Sequence, residues 1–376
     1  MTIADLDRAL TGEQRVAADP ENSYTLPARY YIDAAVFERE KEAIHYRSWQ
    51  PVCHVSELSE IGSYATYSLL DQNIMVVRGG DSKLRAFYNV CSHRAHQLLQ
   101  GSGTTRTIIC RYHAWSYHTD GSLRTARGSE NVSGFDRDLF CLKTIRLEVF
   151  AGLVFVNFDP DAPPLADKAS DLEAEIRDVV PGVESLVKVA EMQSEMSCNW
   201  KVAIDNYLEC YHCSTAHPAF SSLVDLDTYR STICDIHSSH FAERVRPKNK
   251  AYEFSPDDPV QHAAFWYLWP FTVMNVYPGR PILTMTTYAP AGPETTSVQF
   301  NRYAPSKNLD EQDLARIDYS DNVLAPEDFA LCESVQRGLR SRGYTQGRFI
   351  VDRDRTEISE HAVHHFHRLV QTTLGD

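Results

Sequence analysis

The chain has 376 residues, 43% of them hydrophobic and 11% aromatic, enough for one large core or two to three ordinary ones. Its 51 acidic and 37 basic side chains leave a formal charge of −14, which excludes nucleic acid and anionic membrane as main partners, because both demand concentrated Lys and Arg. No apolar run approaches the roughly 18 residues of a membrane helix. The opening MTIADLDRAL is too polar for a leader, and nine cysteines, an odd number, suit a reducing compartment, so a cytoplasmic enzyme or binding protein is expected.

In chain order, DAAVFEREKEAIHYRSW (33–49) spaces Phe37, Ile44 and Trp49 between charges and predicts a helix. From about 50 to 158 the texture changes to short strands, YATYSLL, NIMVVRG, LRAFYNV, TIICRYH, AWSYHTDGSL and GLVFVNFD, cut by Gly, Asp and Ser turns. DPDAPPL (159–165) is a Pro-rich boundary, giving an N-terminal segment 1–45, an all-β domain 46–160 and a second domain 161–376. The second domain carries a charged helix (170–180), aromatic strands from about 265 to 304, and helices near 326–342 and 356–373, so its class is α+β. There is no internal repeat.

The chemistry begins in NVCSHRAHQLLQGSGTTRTIICRYHAWSY. Cys91, His93, Cys110 and His113 form CxHx16CxxH, each loop supplying one thiolate and one imidazole. Structural zinc also accepts Cys and His, but zinc motifs commonly open with CxxC and close with a histidine pair. One Cys and one His per loop is what a two-iron cluster needs when it takes two Cys on one iron and two His on the other. The stretch from Cys91 to Leu123 resembles the double loop of Rieske [2Fe–2S] domains, with Ser92 where Pro is usual.

A second group lies in DNYLECYHCSTAHPAF. Glu209 and His212, three apart, would share a helix face, and His217 precedes Pro218, which should end the helix and let the second imidazole swing back. Two histidines and a carboxylate make the facial triad of non-haem Fe(II) oxygenases. Spacing leaves the carboxylate open among Asp205, Glu209, Asp318, Asp321, Glu327, Asp328 and Glu333.

Residues 199–220 resemble the catalytic domain of Rieske oxygenase α subunits. LPARYY, LRAFYNVC, NWKVAIDNYLECYHC, FWYLWPFTVMNVYP, ESVQRGLRSRGY and ISEH extend the likeness from about residue 25 onward, to the quaternary-ammonium subgroup that includes carnitine monooxygenases. The resemblance implies a helix-grip-like catalytic domain with a central antiparallel sheet, a Rieske cluster, and a mononuclear Fe(II) held by His212, His217 and Asp328. It also implies dioxygen as co-substrate and a homotrimer in which Glu209 bridges the two metal sites of neighbouring copies, with Asp205 and Asn206 beside it. Where most of the family has Asp at the bridge, this chain has Glu209. The expected reaction is hydroxylation next to an ammonium nitrogen with C–N cleavage, releasing trimethylamine or demethylating. The alternative is ring hydroxylation of an aromatic acid.

No GxGxxG follows a strand, so NAD(P)H and flavin are expected on a separate ferredoxin or flavin reductase. Lys83, Arg85, Arg94, Arg106, Arg111, Arg124 and Arg127 make a basic island suited to an acidic donor. The bunched aromatics Phe265, Trp266, Trp269, Phe271, Tyr277 and Tyr288, with Tyr207 between the metal-bearing residues, could enclose a trimethylammonium by cation–π attraction or could simply fill a sheet. Arg280 is a candidate for a substrate carboxylate. CYHC (210–213) lacks the βαβ setting of a redox motif. The histidines of EHAVHHFHR, with His96, His118, His237, His240 and His262, are expected to be structural.

Overall fold

The computed structural model describes residues 13–169 and 171–376, so MTIADLDRAL lies outside the described residues. The chain divides into two compact units. One comprises Tyr46–Asp167 with Gly182–Lys188; the other comprises the residues up to His45, Lys168–Pro181 and Val189–Asp376. The Pro-rich stretch 159–165 falls inside the first unit, because Trp49 Nε1 donates to the Pro163 carbonyl at 3.0 Å and Leu165 N donates to Glu148 at 2.8 Å.

The first unit is all β. Its strands are β1 (Gln50–His54), β2 (Ser63–Leu69), β3 (Gln72–Arg78), β4 (Leu84–Tyr88), β5 (Ser102–Thr104), β6 (Ile108–Ile109), β7 (Ser116–Tyr117), β8 (Leu123–Thr125), β9 (Thr144–Phe150) and β10 (Leu153–Asn157). They form a seven-stranded sheet in the order β1-β10-β9-β4-β3-β2-β5 and a small sheet β6-β7-β8. Successive side chains of a strand face opposite ways, and NIMVVRG is apolar on both faces. Ile74 and Val76 pack with Val154 and Val156, while Met75 and Val77 pack with Phe87, Trp115, Tyr117 and the two cysteines, Cys91 and Cys110. The run is thus buried twice. Gly121, at φ 89°, closes the turn before β8, where a Cβ would lie 2.5 Å from the Phe87 ring.

In the second unit β11 (Val187–Met196), β12 (Tyr229–Ile233), β13 (His237–Ala242), β14 (Ala263–Leu268), β15 (Thr272–Val276), β16 (Leu283–Gly292) and β17 (Thr295–Ala304) build a sheet in the order β11-β17-β16-β15-β14-β13-β12. From β12 to β17 every pairing is antiparallel. Five helices bear on the site: α1 (Trp200–Tyr207), α2 (Pro218–Leu223), α3 (Glu311–Tyr319), α4 (Ala325–Leu339) and α5 (His361–Leu374). Asn199 caps α1, its side chain accepting from Lys201 N. The predicted N-terminal helix is Ala34–Glu40 followed by a wider turn to His45, and it stops short of Trp49. β11, β12, β13 and α3 were not anticipated. No helix among the described residues is long and apolar enough to cross a membrane.

Candidate active site

The two cysteine–histidine loops of the first unit are built on one backbone frame. Ala95 N bonds to the Cys91 carbonyl and Ala114 N to the Cys110 carbonyl, each at 3.0 Å. Cys91 N bonds to the His96 carbonyl at 2.9 Å and Cys110 N to the Trp115 carbonyl at 2.8 Å. In both loops an alanine takes a left-handed conformation, φ 55° at Ala95 and 59° at Ala114. Such strain persists only where the surroundings enforce it. The CxH and CxxH spacings therefore differ only in where the imidazole sits on the same frame.

The four side chains converge. Cys91 and Cys110 are each 2% exposed, and their thiols adjoin each other. The His93 and His113 rings lie 4.7 Å apart, and His93 stacks on Trp115. Nδ1 of His113 is buried with no hydrogen-bond partner, whereas Nε2 faces outward to Arg94 at 3.2 Å. An orphaned ring nitrogen beside two buried thiols is what a metal cluster would satisfy. Tyr117 supports the loop, its hydroxyl 3.3 Å from Cys91 Sγ and 3.0 Å from Ser92 N. The basic island is partly spent internally, since Arg85 makes a two-pronged pair with Asp81.

In the second unit, ligand atoms of His212, His217 and Asp328 lie within 4.8 Å of one another, the one such group among the described residues. α1 ends at Tyr207, so Glu209 and His212 are joined by a turn and not by the helix the spacing suggested. The turn still brings them together: Glu209 Oε1 is 2.5 Å from His212 Nδ1, and Oε2 accepts from His212 N at 3.2 Å. His217, with φ −120°, breaks the chain between the short helix Cys213–Ala216 and α2, where Pro218 opens the helix. Asp328 arrives on the first turn of α4, its Oδ1 3.0 Å from His217 Nε2 and 3.5 Å from His212 Nε2. Glu327, its neighbour, takes the other nitrogen of His217 at 2.7 Å.

The remaining acids are engaged elsewhere. Asp318 accepts from Asn322, Asp321 pairs with Arg302, and Glu333 accepts from Ser197 N. Burial alone would lower the His212 pKa, but the Asp328 and Glu209 carboxylates reverse this and push it up to about 10. His217 is raised too, against burial, mainly by Asp328. For Asp328, burial favours the neutral acid, yet the two imidazoles hold it below the usual carboxylate range. The same pull that raises both imidazoles and lowers Asp328 would favour a cation among them, so the donor set fits a divalent metal with ring nitrogens Nε2 inward.

A cavity of about 80 Å³ opens on this group, lined by Tyr207, Phe220, Tyr229, Phe265, Tyr277 and Tyr288, with Asn206 and the metal-site residues. Tyr207 donates its hydroxyl to the Met274 carbonyl at 2.8 Å, which fixes the ring. Three aromatics of the predicted pocket do not line it. Trp266 follows Phe265 on β14 and so faces the opposite side, fully buried, with Nε1 on Glu175 at 3.0 Å. Trp269 packs on Trp200 and Phe366, and Phe271 on Trp200 and His45. Arg280 is tied to Asp313 at 2.5 Å and to the Asn308 carbonyl, away from the cavity. Phe220 and Tyr229 were missed. Phe220, three residues past His217, could have been found from its proximity.

Asp205 is likewise occupied. Tyr31 donates its hydroxyl to Oδ2 at 2.7 Å and His367 Nε2 lies 2.8 Å from Oδ1. Asn206 instead points its amide toward His212 Nε2 at 3.5 Å. Cys210 and Cys213, on either side of His212, are joined in a disulfide and line the cavity.

Family models match two parts of the chain: "Rieske [2Fe-2S] domain" over residues 48–139 and "Ring hydroxylating alpha subunit (catalytic domain)" over 183–376. The chain is 40% identical to the carnitine monooxygenase oxygenase subunit of Escherichia coli K12 over 96% of its length and 97% of the relative's. It is 31% identical to the chloroplastic choline monooxygenase of Spinacia oleracea, covering 94% of this chain and 79% of that one. A crystal structure of a quaternary ammonium Rieske monooxygenase in complex with L-carnitine superposes with a TM-score of 0.87 at 37% identity, over 96% of this chain and 99% of the other.

Proposed function

We propose, because the chain belongs to the Rieske-type ring-hydroxylating α-subunit family, that it is the terminal oxygenase of a cytoplasmic multicomponent system acting on a carnitine- or betaine-like quaternary ammonium compound. It is a Rieske monooxygenase with a [2Fe–2S] cluster and a mononuclear iron. Electrons come from a separate reductase, and the hydroxylated product parts at C–N, as trimethylamine release or N-demethylation. In this reading Cys91 and Cys110 hold one cluster iron and His93 and His113 the other, while His212, His217 and Asp328 hold the mononuclear iron. The cluster supplies single electrons and the iron activates dioxygen beside the substrate.

The protein's own groups set the geometry. Glu209 and Glu327 occupy Nδ1 of His212 and His217, which fixes each ring and leaves both Nε2 atoms toward Asp328. In a head-to-tail homotrimer Glu209 also takes Nε2–H of His113 from the next copy and so joins the two metal sites. Tyr207, Phe265 and Tyr277 line the cavity and would give a cation aromatic walls that exclude water from it. Neither Lys nor Arg lines the cavity, so no fixed positive charge opposes an ammonium head there. The observation that carries the reading is the His212–His217–Asp328 group opening on an aromatic cavity.

The test is substrate-dependent oxygen uptake by the reduced enzyme with carnitine, γ-butyrobetaine, choline, glycine betaine and an aromatic acid, with the amine product measured. A neutral tert-butyl isostere of the preferred substrate should bind at least about tenfold more weakly, since a desolvated cation over aromatic faces gains ~2 kcal/mol. Equal binding of the two, or turnover of the aromatic acid alone, would replace this reading with the ring-hydroxylating one.

A further inference from the structure

A second cavity, of about 300 Å³, lies on the far side of the same residues, and Asn206, Glu209 and His212 line both. Its other polar lining includes Tyr31, Asp205 and Glu360. It is roomy and polar enough to admit water. One set of hydrogen bonds in it is fixed by geometry. His367 Nδ1 accepts the backbone N–H of Leu26 at 3.0 Å, so Nε2 carries the ring proton and points it at Asp205. Both oxygens of Asp205 are thereby taken, one by Tyr31 and one by His367.

Glu360 precedes α5, and its Oε2 accepts from Ile350 N at 2.6 Å. We propose that Glu360 is the proton-holding residue of this cavity, passing a proton through its water toward Glu209 when dioxygen is reduced on the other side of the wall. Monooxygenation takes one dioxygen, two electrons from the reductase and two protons, and yields the hydroxylated substrate and one water. The protons must reach the iron side, and Glu209 is the carboxylate exposed to both cavities. Burial first, then the negative charges of Glu209 and Asp205, push the Glu360 carboxyl up to about 7, against the Ile350 N–H, which favours ionisation. Tyr31, Tyr344, Cys332 and His212 are the other titratable groups on the cavity. Glu360 therefore keeps its proton much closer to neutrality than an ordinary glutamate does, which suits it to give and regain one there.

The inference rests on the oxygenase reading, yet its first test needs no metal. Infrared difference spectra of the iron-free protein should show a protonated carboxyl titrating near pH 7, absent in Glu360→Gln and moved to lower pH in Asp205→Asn. A band that survives Glu360→Gln, or a midpoint indifferent to Asp205→Asn, overturns it. In the loaded enzyme Glu360→Gln should keep its iron and cluster spectrum but reoxidise the cluster about tenfold more slowly at neutral pH, without the wild-type step in the pH profile. Glu360→Asp should restore that step. An unchanged profile in Glu360→Gln also overturns the proposal. Absence of turnover in the wild type with every ammonium substrate sinks the oxygenase reading instead, and leaves the infrared result to decide the rest.

Discussion

Glu327 reaches back 110 residues to Nδ1 of His217, at 2.7 Å, and so aims the opposite nitrogen of that ring at the neighbouring Asp328. The two consecutive acids have different duties, which removal will separate. Asp328→Ala should strip the mononuclear iron and leave the cluster absorption intact. Glu327→Ala should leave a site that still binds iron, about 10–100-fold more weakly. Iron titration of the two variants, with the cluster spectrum as internal standard, is the check; full iron occupancy in Asp328→Ala would move the third ligand elsewhere.

The raised His212 pKa makes the iron-free protein pH-sensitive. The folded state holds a proton up to about 10 that the unfolded chain, at 6.5, releases earlier. Its stabilisation is complete below 6.5 and fades as pH rises through the folded value. Iron competes with that proton, so iron affinity should climb with pH over the same window. Urea midpoints of the iron-stripped protein, compared with His212→Gln to isolate this group, should converge at alkaline pH. A wild-type advantage that grows between neutrality and pH 10 would refute the linkage.

Glu209→Ala should retain both metals, because Glu209 donates no ligand in the proposed arrangement, while turnover falls nearly to nothing. Glu209→Asp keeps the charge but shortens the reach by one methylene and should recover part of it. Rapid-mixing measurement of cluster reoxidation by dioxygen and substrate reads the loss directly. Brisk reoxidation in Glu209→Ala would put the electron route through another group.

Glu40 and Lys201 form an ion pair with neither side chain exposed, at 2.6 Å, and Trp200 Nε1 also donates to Glu40 at 3.0 Å. Breaking it by Glu40→Ala leaves a buried ammonium and should cost about 3–5 kcal/mol. Replacing both residues by apolar ones of similar volume should cost less than the single change. Denaturant midpoints of the three proteins decide this, and equal losses would mean that packing, not charge, dominates there.

The cysteine and histidine part of the proposed metal sites was legible in the sequence because it is local, Cys91 to His113 in one stretch and His212 and His217 five residues apart, whereas spacing left the carboxylate open and Asp328 lies 111 residues beyond His217. What local pattern cannot carry is facing. Phe265 and Trp266 are equally aromatic, and only the pairing of β14 with β13 and β15 decides that the first lines the cavity and the second fills the sheet. Arg280 looked available until α3, a short helix rich in charged residues, supplied Asp313. The histidines of α5 looked like surface and packing, since nothing in EHAVHHFHR reveals that His367 meets Asp205, 162 residues earlier. Glu209 and His212 met as expected, but by a turn, because α1 stops at Tyr207.

The distribution of ligands along the chain also sets an order of manufacture. All four cluster residues are translated by His113, and the sheets around them are complete by Asn157, whereas the iron group waits for Asp328 and the Asp205 clamp for His367. At ribosomal speed, roughly two hundred residues between the two amount to about 10–40 s. A nascent chain can therefore accept its cluster while its iron site does not yet exist.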